Sequence, residues 1–226
     1  MQFPKIPLVA ALVLSLAACG GREDTDVAAD TAAPGTDPAQ AASTGADEAV
    51  PAFATPTLAD GPDVCFRAIA DHLGADVKVS EINSRFDADG KLEICTVDYQ
   101  NPADARKLVG VRMDTGTGTF SEPHDIELTV TGNAADFRLE DYLIPLSQVD
   151  AAALTGVQDS LKAELDGIYG SYFWNGVRLM PPGAFSDEHT LRLDLEGRIA
   201  ANDIKNSGYA SVSVDGKTVV RNHLLP

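Results

Sequence analysis

Between Gly20 and Leu58 the only large apolar side chains are Val27, Val50 and Phe53. That gap confines any hydrophobic core to the residues beyond it. The stretch is Ala, Thr, Asp, Pro and Gly, and it cannot bury enough surface to offset an ordering cost of about 1–2 kcal/mol per residue. It is predicted to be a disordered tether. Flexible-coil scaling gives its 39 residues an end-to-end distance of about 35 Å. The folded part is expected over residues 59–226, which is 168 residues and enough for one well-buried domain or two small lobes.

Upstream of the tether, a polar start with one cation, Lys5, precedes an apolar run from Leu8 to Ala18. Eleven residues make a helix of roughly 16 Å against a hydrocarbon core of about 30 Å, too short to span. Residues 1–18 read as a secretory signal to be set aside from the fold. The four residues Leu16-Ala17-Ala18-Cys19 resemble the lipobox of bacterial lipoproteins. The resemblance implies cleavage before Cys19, a diacylglycerol on its sulfur and an acyl chain such as palmitate on its nitrogen. Two or three chains hold a protein stably at a membrane where one does not. Gly20 in place of Asp implies, by the same resemblance, export to the outer membrane with the domain facing the periplasm. The inner membrane and the cell surface are the alternatives.

Cysteine arithmetic follows from that assignment. With Cys19 lipidated, Cys65 and Cys95 are the two thiols left, in an exported chain where disulfides persist. Their spacing does not fit a C-x-x-C redox pair, and no further Cys or His completes a zinc set. A structural disulfide closing a loop of about 30 residues is expected, worth roughly 3–4 kcal/mol on the chain-entropy argument.

The charge excludes one class of partner. Formal net charge is −17, and residues 59–226 alone carry −12. A body this acidic lacks the footprint for phosphate backbones, so nucleic acid is not expected.

The folded part reads as α+β: two helices, each followed by mostly antiparallel strands. Asp60-Gly61-Pro62-Asp63 starts a helix over about Val64 to Leu73, with Cys65, Ile69 and Leu73 on one stripe and Gly74 as its stop. Strands are predicted over 77–86, Lys91 to Tyr99, Leu108 to Asp114 and Asp125 to Thr131, with Asp89-Gly90 as a hairpin turn. Ser147 and Asp150 suggest a capping box for a second helix, in which Leu154, Val157, Leu161, Leu165 and Ile168 keep the helical period up to Gly170. Strands follow around Tyr172 to Met180, Thr190 to Leu195, Arg198 to Ala201, Tyr209 to Val214 and Lys217 to Asn222. Asn175-Gly176, Glu196-Gly197 and Asp215-Gly216 are turn candidates. Two arrangements fit: similar α+β lobes at 59–145 and 146–226, pairing sheet to sheet, or one larger sheet with two helices on a face. The helix-plus-hairpin pattern resembles small periplasmic binding folds of bacterial lipoproteins.

Chemistry is sparse. There is no Gly-x-Ser-x-Gly, His-Glu-x-x-His, Walker or dinucleotide motif. Counting Gly90 as the sixth position of a calcium loop puts Arg85 first and Thr96 twelfth, so the acidic ligands are missing. Glu122, His124 and Asp125 are the one tight group of metal-ligand types, although three ligands within four residues seldom converge unaided. A solvated loop is the simpler reading, and no His is assigned as catalytic. Tyr172 and Trp174 share one face of an alternating strand in the densest aromatic patch, Tyr169 to Phe185. They either fill the core or line an interaction surface. No cofactor is expected. The reading favours a lipid-anchored envelope protein whose domain binds a ligand, most simply another envelope protein. A hydrolase or metal-dependent enzyme built on Glu122, His124 and Asp125, and a purely structural envelope component, are the alternatives.

Overall fold

The computed structural model describes residues 53–130, 133–184 and 186–226. Helix α1 (Val64–Leu73) begins just after Asp63, whose carboxylate pairs with Arg67 one turn on, and it stops at Gly74, where φ is 92°. Strands β1 (Lys78–Phe86) and β2 (Leu92–Gln100) form the expected hairpin. At its tip Gly90 has φ 78°, and the Asp87 carboxylate accepts the amides of Asp89 and Lys91. Only Gly adopts that left-handed backbone at little cost. Strands β3 (Leu108–Arg112) and β4 (His124–Ile126) follow, then a two-residue strand β5 (Ile144–Pro145) beside β1.

After helix α2 (Leu154–Asp166) the chain runs antiparallel through β6 (Tyr169–Met180), β7 (Thr190–Ile199), β8 (Lys205–Val212) and β9 (Val219–His223). The sheet order is β4-β3-β2-β1-β6-β7-β8-β9, with β5 off the path against β1. The two helix-plus-strand halves therefore meet through β1 and β6, where Ile82 pairs with Leu179 and Ser84 with Val177. They share one continuous sheet, which is the single-sheet arrangement; a division into two lobes is not seen among the described residues. No helix among those residues is long and apolar enough to cross a membrane.

One face of this sheet is the core. Val111, Val97, Ile82, Leu179, Leu191 and Val212 stand in register across six strands, all nearly solvent-free. The next row is Cys95, Ser84, Val177, Leu193 and Ala210. Onto these rows pack Cys65, Phe66 and Ile69 of α1 and Leu154, Val157, Leu161 and Leu165 of α2, in one cluster. Each fully buried aliphatic side chain is worth about 1.5–3 kcal/mol. The Cys65–Cys95 disulfide is formed, with a Cα–Cα distance of 5.5 Å, and it ties α1 to β2.

Several expected boundaries differ. Ser147 lies in a 3-10 turn (Leu146–Gln148) and its hydroxyl donates to Asp76, so it does not cap α2. The chain there is held by Leu146 and Ser147 amides donating to Val77 and Ala75, which delays α2; Asp150 instead accepts the Ala153 amide. The helix ends at Asp166, and Gly170 lies within β6. Asn175-Gly176 is a bulge inside β6, not a turn. Glu196-Gly197 is likewise inside β7, which runs unbroken from Thr190 to Ile199. A Cβ at Gly197 would stand 2.7 Å from the Ser171 carbonyl oxygen, so this glycine serves a close strand approach. The strand expected to reach Thr131 ends at Ile126.

Candidate functional site

Because strand side chains alternate, every second residue of the core strands points away from the helices. On β1 and β6–β9 those positions are mostly polar or charged. Asn83, Arg178, Arg192, Ser211 and Arg221 stand in register across β1, β6, β7, β8 and β9. The adjacent row is Arg85, Gly176, Asp194, Tyr209 and His223. Asn83, Arg85, Arg178, Arg192, Asp194 and Tyr209 of these rows line a concavity of about 600 Å³.

Asp194 organises it. Arg178 donates to this carboxylate through Nε at 2.7 Å and Nη2 at 2.9 Å, and Arg192 donates through Nε at 2.8 Å. All three side chains are largely withdrawn from solvent, Asp194 to 17% exposure. The Arg192 guanidinium carbon lies 3.8 Å over the Tyr209 ring, a cation–π contact that fixes its plane. Arg85 is exposed and makes no ion pair among the described residues. Glu196 also lines the concavity but is engaged by Lys205 at 2.7 Å. The local balance is therefore positive within an acidic domain.

Two further features stand out on this face. Gly176 offers no side chain between Arg85 and Asp194; a Cβ there would come within 3.0 Å of Asp194 Oδ2. The side-chain oxygens of Asn83 and Asn175, both lining the concavity, are buried with no hydrogen-bond partner. A buried amide atom left unpaired costs about 1–3 kcal/mol.

A second cleft of about 290 Å³ adjoins the first and shares Arg192 and Tyr209 with it. Its other walls are mostly apolar: Met180, Pro181, Pro182, Ala184 and Val220. Glu81 reaches this cleft, and burial together with the Asp98 charge pushes its carboxyl above the usual range, against the pull of Arg178. Burial also raises Asp98, opposed by His124.

The residues singled out from the sequence lie elsewhere. Tyr172 and Trp174 sit on the helix-facing side and pack, half-buried, against the core. The Tyr172 hydroxyl donates to Asp166 of α2 at 2.9 Å, and burial followed by this bond raises its pKa. Phe185 and Cys19 fall outside the described residues. Glu122, His124 and Asp125 are all exposed and are not brought together. His124 pairs across β3 with Gly110, opposite Asp98, whereas Asp125 pairs with the core residue Val109, so the two point to opposite faces. Among the described residues no group of three or more His, Cys, Asp or Glu is arranged to hold a metal ion. The sequence reading missed Arg178, Arg192 and Asp194. The signal was present in the residues interleaved with Leu191, Leu193 and Leu195.

No protein-family model matches the chain, and no curated protein matches it. Among solved structures it is similar to a candidate lipoprotein (CD1622) from Clostridium difficile 630, at 14% identity over 74% of this chain and 91% of that one, with a TM-score of 0.43.

Proposed function

We propose that residues 59–226 form a ligand-binding domain held at a cell-envelope membrane by lipid on Cys19, with the ligand seated in the concavity lined by Arg85, Arg178, Arg192 and Tyr209. One observation carries the binding reading. Three arginines, a carboxylate that positions two of them and two unpaired buried amides converge on one concave surface that neither helix covers. Concave sites with a few convergent polar groups are the usual form of small-ligand pockets. The lipobox-like Leu16-Ala17-Ala18-Cys19 supports the anchor, and the outer membrane with the domain in the periplasm is the favoured placement.

A partner protein in the envelope is the second form of this reading. It is favoured by β9, whose five residues are all exposed at the sheet edge, Val220 to 56%. Such an edge can accept a strand from another chain.

Photo-crosslinking in intact cells tests the binding surface. A photoreactive residue at Ser211, on the arginine face, should yield a discrete adduct, and one at Asp159, on the exposed side of α2, should not. Equal labelling at both positions, or none at Ser211, contradicts the assignment. Cys19→Ser tests the anchor: the protein should leave the membrane fraction, and unchanged fractionation removes this part of the proposal.

A further inference from the structure

Resting on the binding reading above, we infer that the ligand is a small amphipathic anion: a carboxylate or phosphate held by Arg85, Arg178 and Arg192, with its apolar part in the cleft of Met180, Pro181, Pro182 and Val220. The two cavities adjoin and share Arg192 and Tyr209 as lining residues, so an anion held by Arg192 has its apolar part within reach of the second. Their linings differ in character: three arginines, with Asp194 and Glu196, line the first, whereas Met180, Pro181, Pro182, Ala184 and Val220 give the second an apolar wall beside Glu81 and Arg221.

The arginines retain donors for this task. A guanidinium has five N–H groups. Asp194 engages two on Arg178 and one on Arg192, and the remaining N–H groups belong to side chains that line the concavity. Planar guanidiniums fixed in advance by a carboxylate lose little freedom on meeting a second anion. Arg85, which lines the same concavity and pairs across the strands with Gly176, adds a cation without an ion pair among the described residues. Asn83 and Asn175 extend the set, because a side-chain amide turned about its last bond presents N–H in place of the unpaired oxygen. A cationic ligand would meet three like charges, and a wholly hydrophilic anion would leave the adjoining apolar cleft in water.

The charge of the whole molecule sharpens the selectivity. With −12 over residues 59–226, a positive concavity is a local exception. A large polyanion would be repelled by the surrounding surface, whereas a small anion sees mainly the guanidiniums within a Debye length of about 8 Å.

The test uses the full chain carrying Cys19→Ser, titrated calorimetrically with decyl phosphate below its micelle concentration, with inorganic phosphate and with decyl maltoside. One decyl phosphate per chain is expected, bound at least about tenfold more tightly than inorganic phosphate, with no saturable binding of the maltoside. Arg85→Gln, at an exposed and unpaired site, should weaken decyl phosphate by about tenfold or more. Val220→Asp, also exposed, should remove its advantage over inorganic phosphate. Phosphatidylglycerol vesicles, set against phosphatidylcholine, identify the source. Co-sedimentation abolished by Arg85→Gln assigns the anion to a lipid headgroup, and capture of monomeric decyl phosphate alone assigns it to a soluble amphiphile; both support the site. No binding of decyl phosphate, or binding unchanged by Arg85→Gln, overturns the inference. A Ser211 adduct that persists in that case leaves the binding surface standing and removes only the anion class; loss of both removes both.

Discussion

Arg178 and Asp194 face each other diagonally across β6 and β7 in a two-pronged ion pair, with N–O distances of 2.7 and 2.9 Å. The same carboxylate takes Nε of Arg192, so one anion holds two cations on the sheet face opposite the core. That triad gives the face its rigidity and its charge.

Asp194→Asn should therefore cost stability as well as binding. It removes the charged partner of two half-buried guanidiniums, with side-chain exposures of 27% and 29%. Such a loss is worth about 1–2 kcal/mol, between an exposed pair and a fully buried one. Thermal denaturation should show a fall of roughly 2–4 °C per kcal/mol for a chain of this size. A melting temperature equal to that of the parent would mean that the triad does not hold the face together.

The disulfide supplies a second check. Cys65 and Cys95 are both fully buried and separated by 30 residues in sequence. Replacing both by Ala should lower stability by about 2–4 kcal/mol, from the added freedom of the unfolded chain. Urea unfolding of the double variant beside the parent measures it, and coincident midpoints would rule out a stabilising role.

Two carboxyls on the open face give a pH dependence with a definite sign. Burial raises Glu81 above its reference value of 4.5 and Asp98 above 3.8, and the Asp98 charge adds to the Glu81 shift. A raised folded pKa means that the native state binds more protons than the unfolded one between the two values. Stability from these groups is thus complete below the reference pKa and is lost as pH rises through the folded one. Glu81→Gln should be more stable than the parent at neutral pH, and the gain should vanish well below pH 4.5. Urea midpoints at the two pH values read this out; a gain that persists at low pH would contradict it.

Asp104 runs the other way. Its hydrogen bonds from the Arg106 side chain and amide hold its carboxyl down to about 2. Its contribution is present above the reference value of 3.8 and is lost as pH falls from there through about 2. A carboxyl carbon titration by NMR should find Asp104 still ionised near pH 3, where an ordinary Asp is mostly protonated. An ordinary midpoint would dissolve the pair.

How much of this was written in local sequence depends on the residue. Helix α1 was legible end to end, because Pro62 and Asp63 punctuate its start and Gly74 its stop. The β1–β2 and β8–β9 turns were legible in Asp89-Gly90 and Asp215-Gly216, where the glycines have φ 78° and 68°. The alternation of Leu191, Leu193 and Leu195 named the buried face of β7. Glycines that serve close approach, Gly176 and Gly197, look the same in sequence as turn glycines; both suggested turns, and Gly197 split β7 into two expected strands. The site was hidden for a different reason. Arg85 and Arg178 meet only because β1 pairs with β6 across 93 residues of chain separation between them, and no local period encodes that pairing. The aromatic patch drew attention instead, yet Trp174 and Tyr172 turned out to serve the helix-facing side.

Where an amphipathic anion lands on the sheet is the most direct test of the arginine face. Two-dimensional NMR of the full chain carrying Cys19→Ser, titrated with decyl phosphate, reads this from the arginine Nε–H and backbone amide resonances together. Saturable shifts should be confined to Arg85, Arg178, Arg192, Tyr209 and the Met180 to Val220 cleft, with α2 amides unmoved. Shifts centred on α2, or spread over both faces without saturation, would contradict the assignment of the arginine face as the binding site.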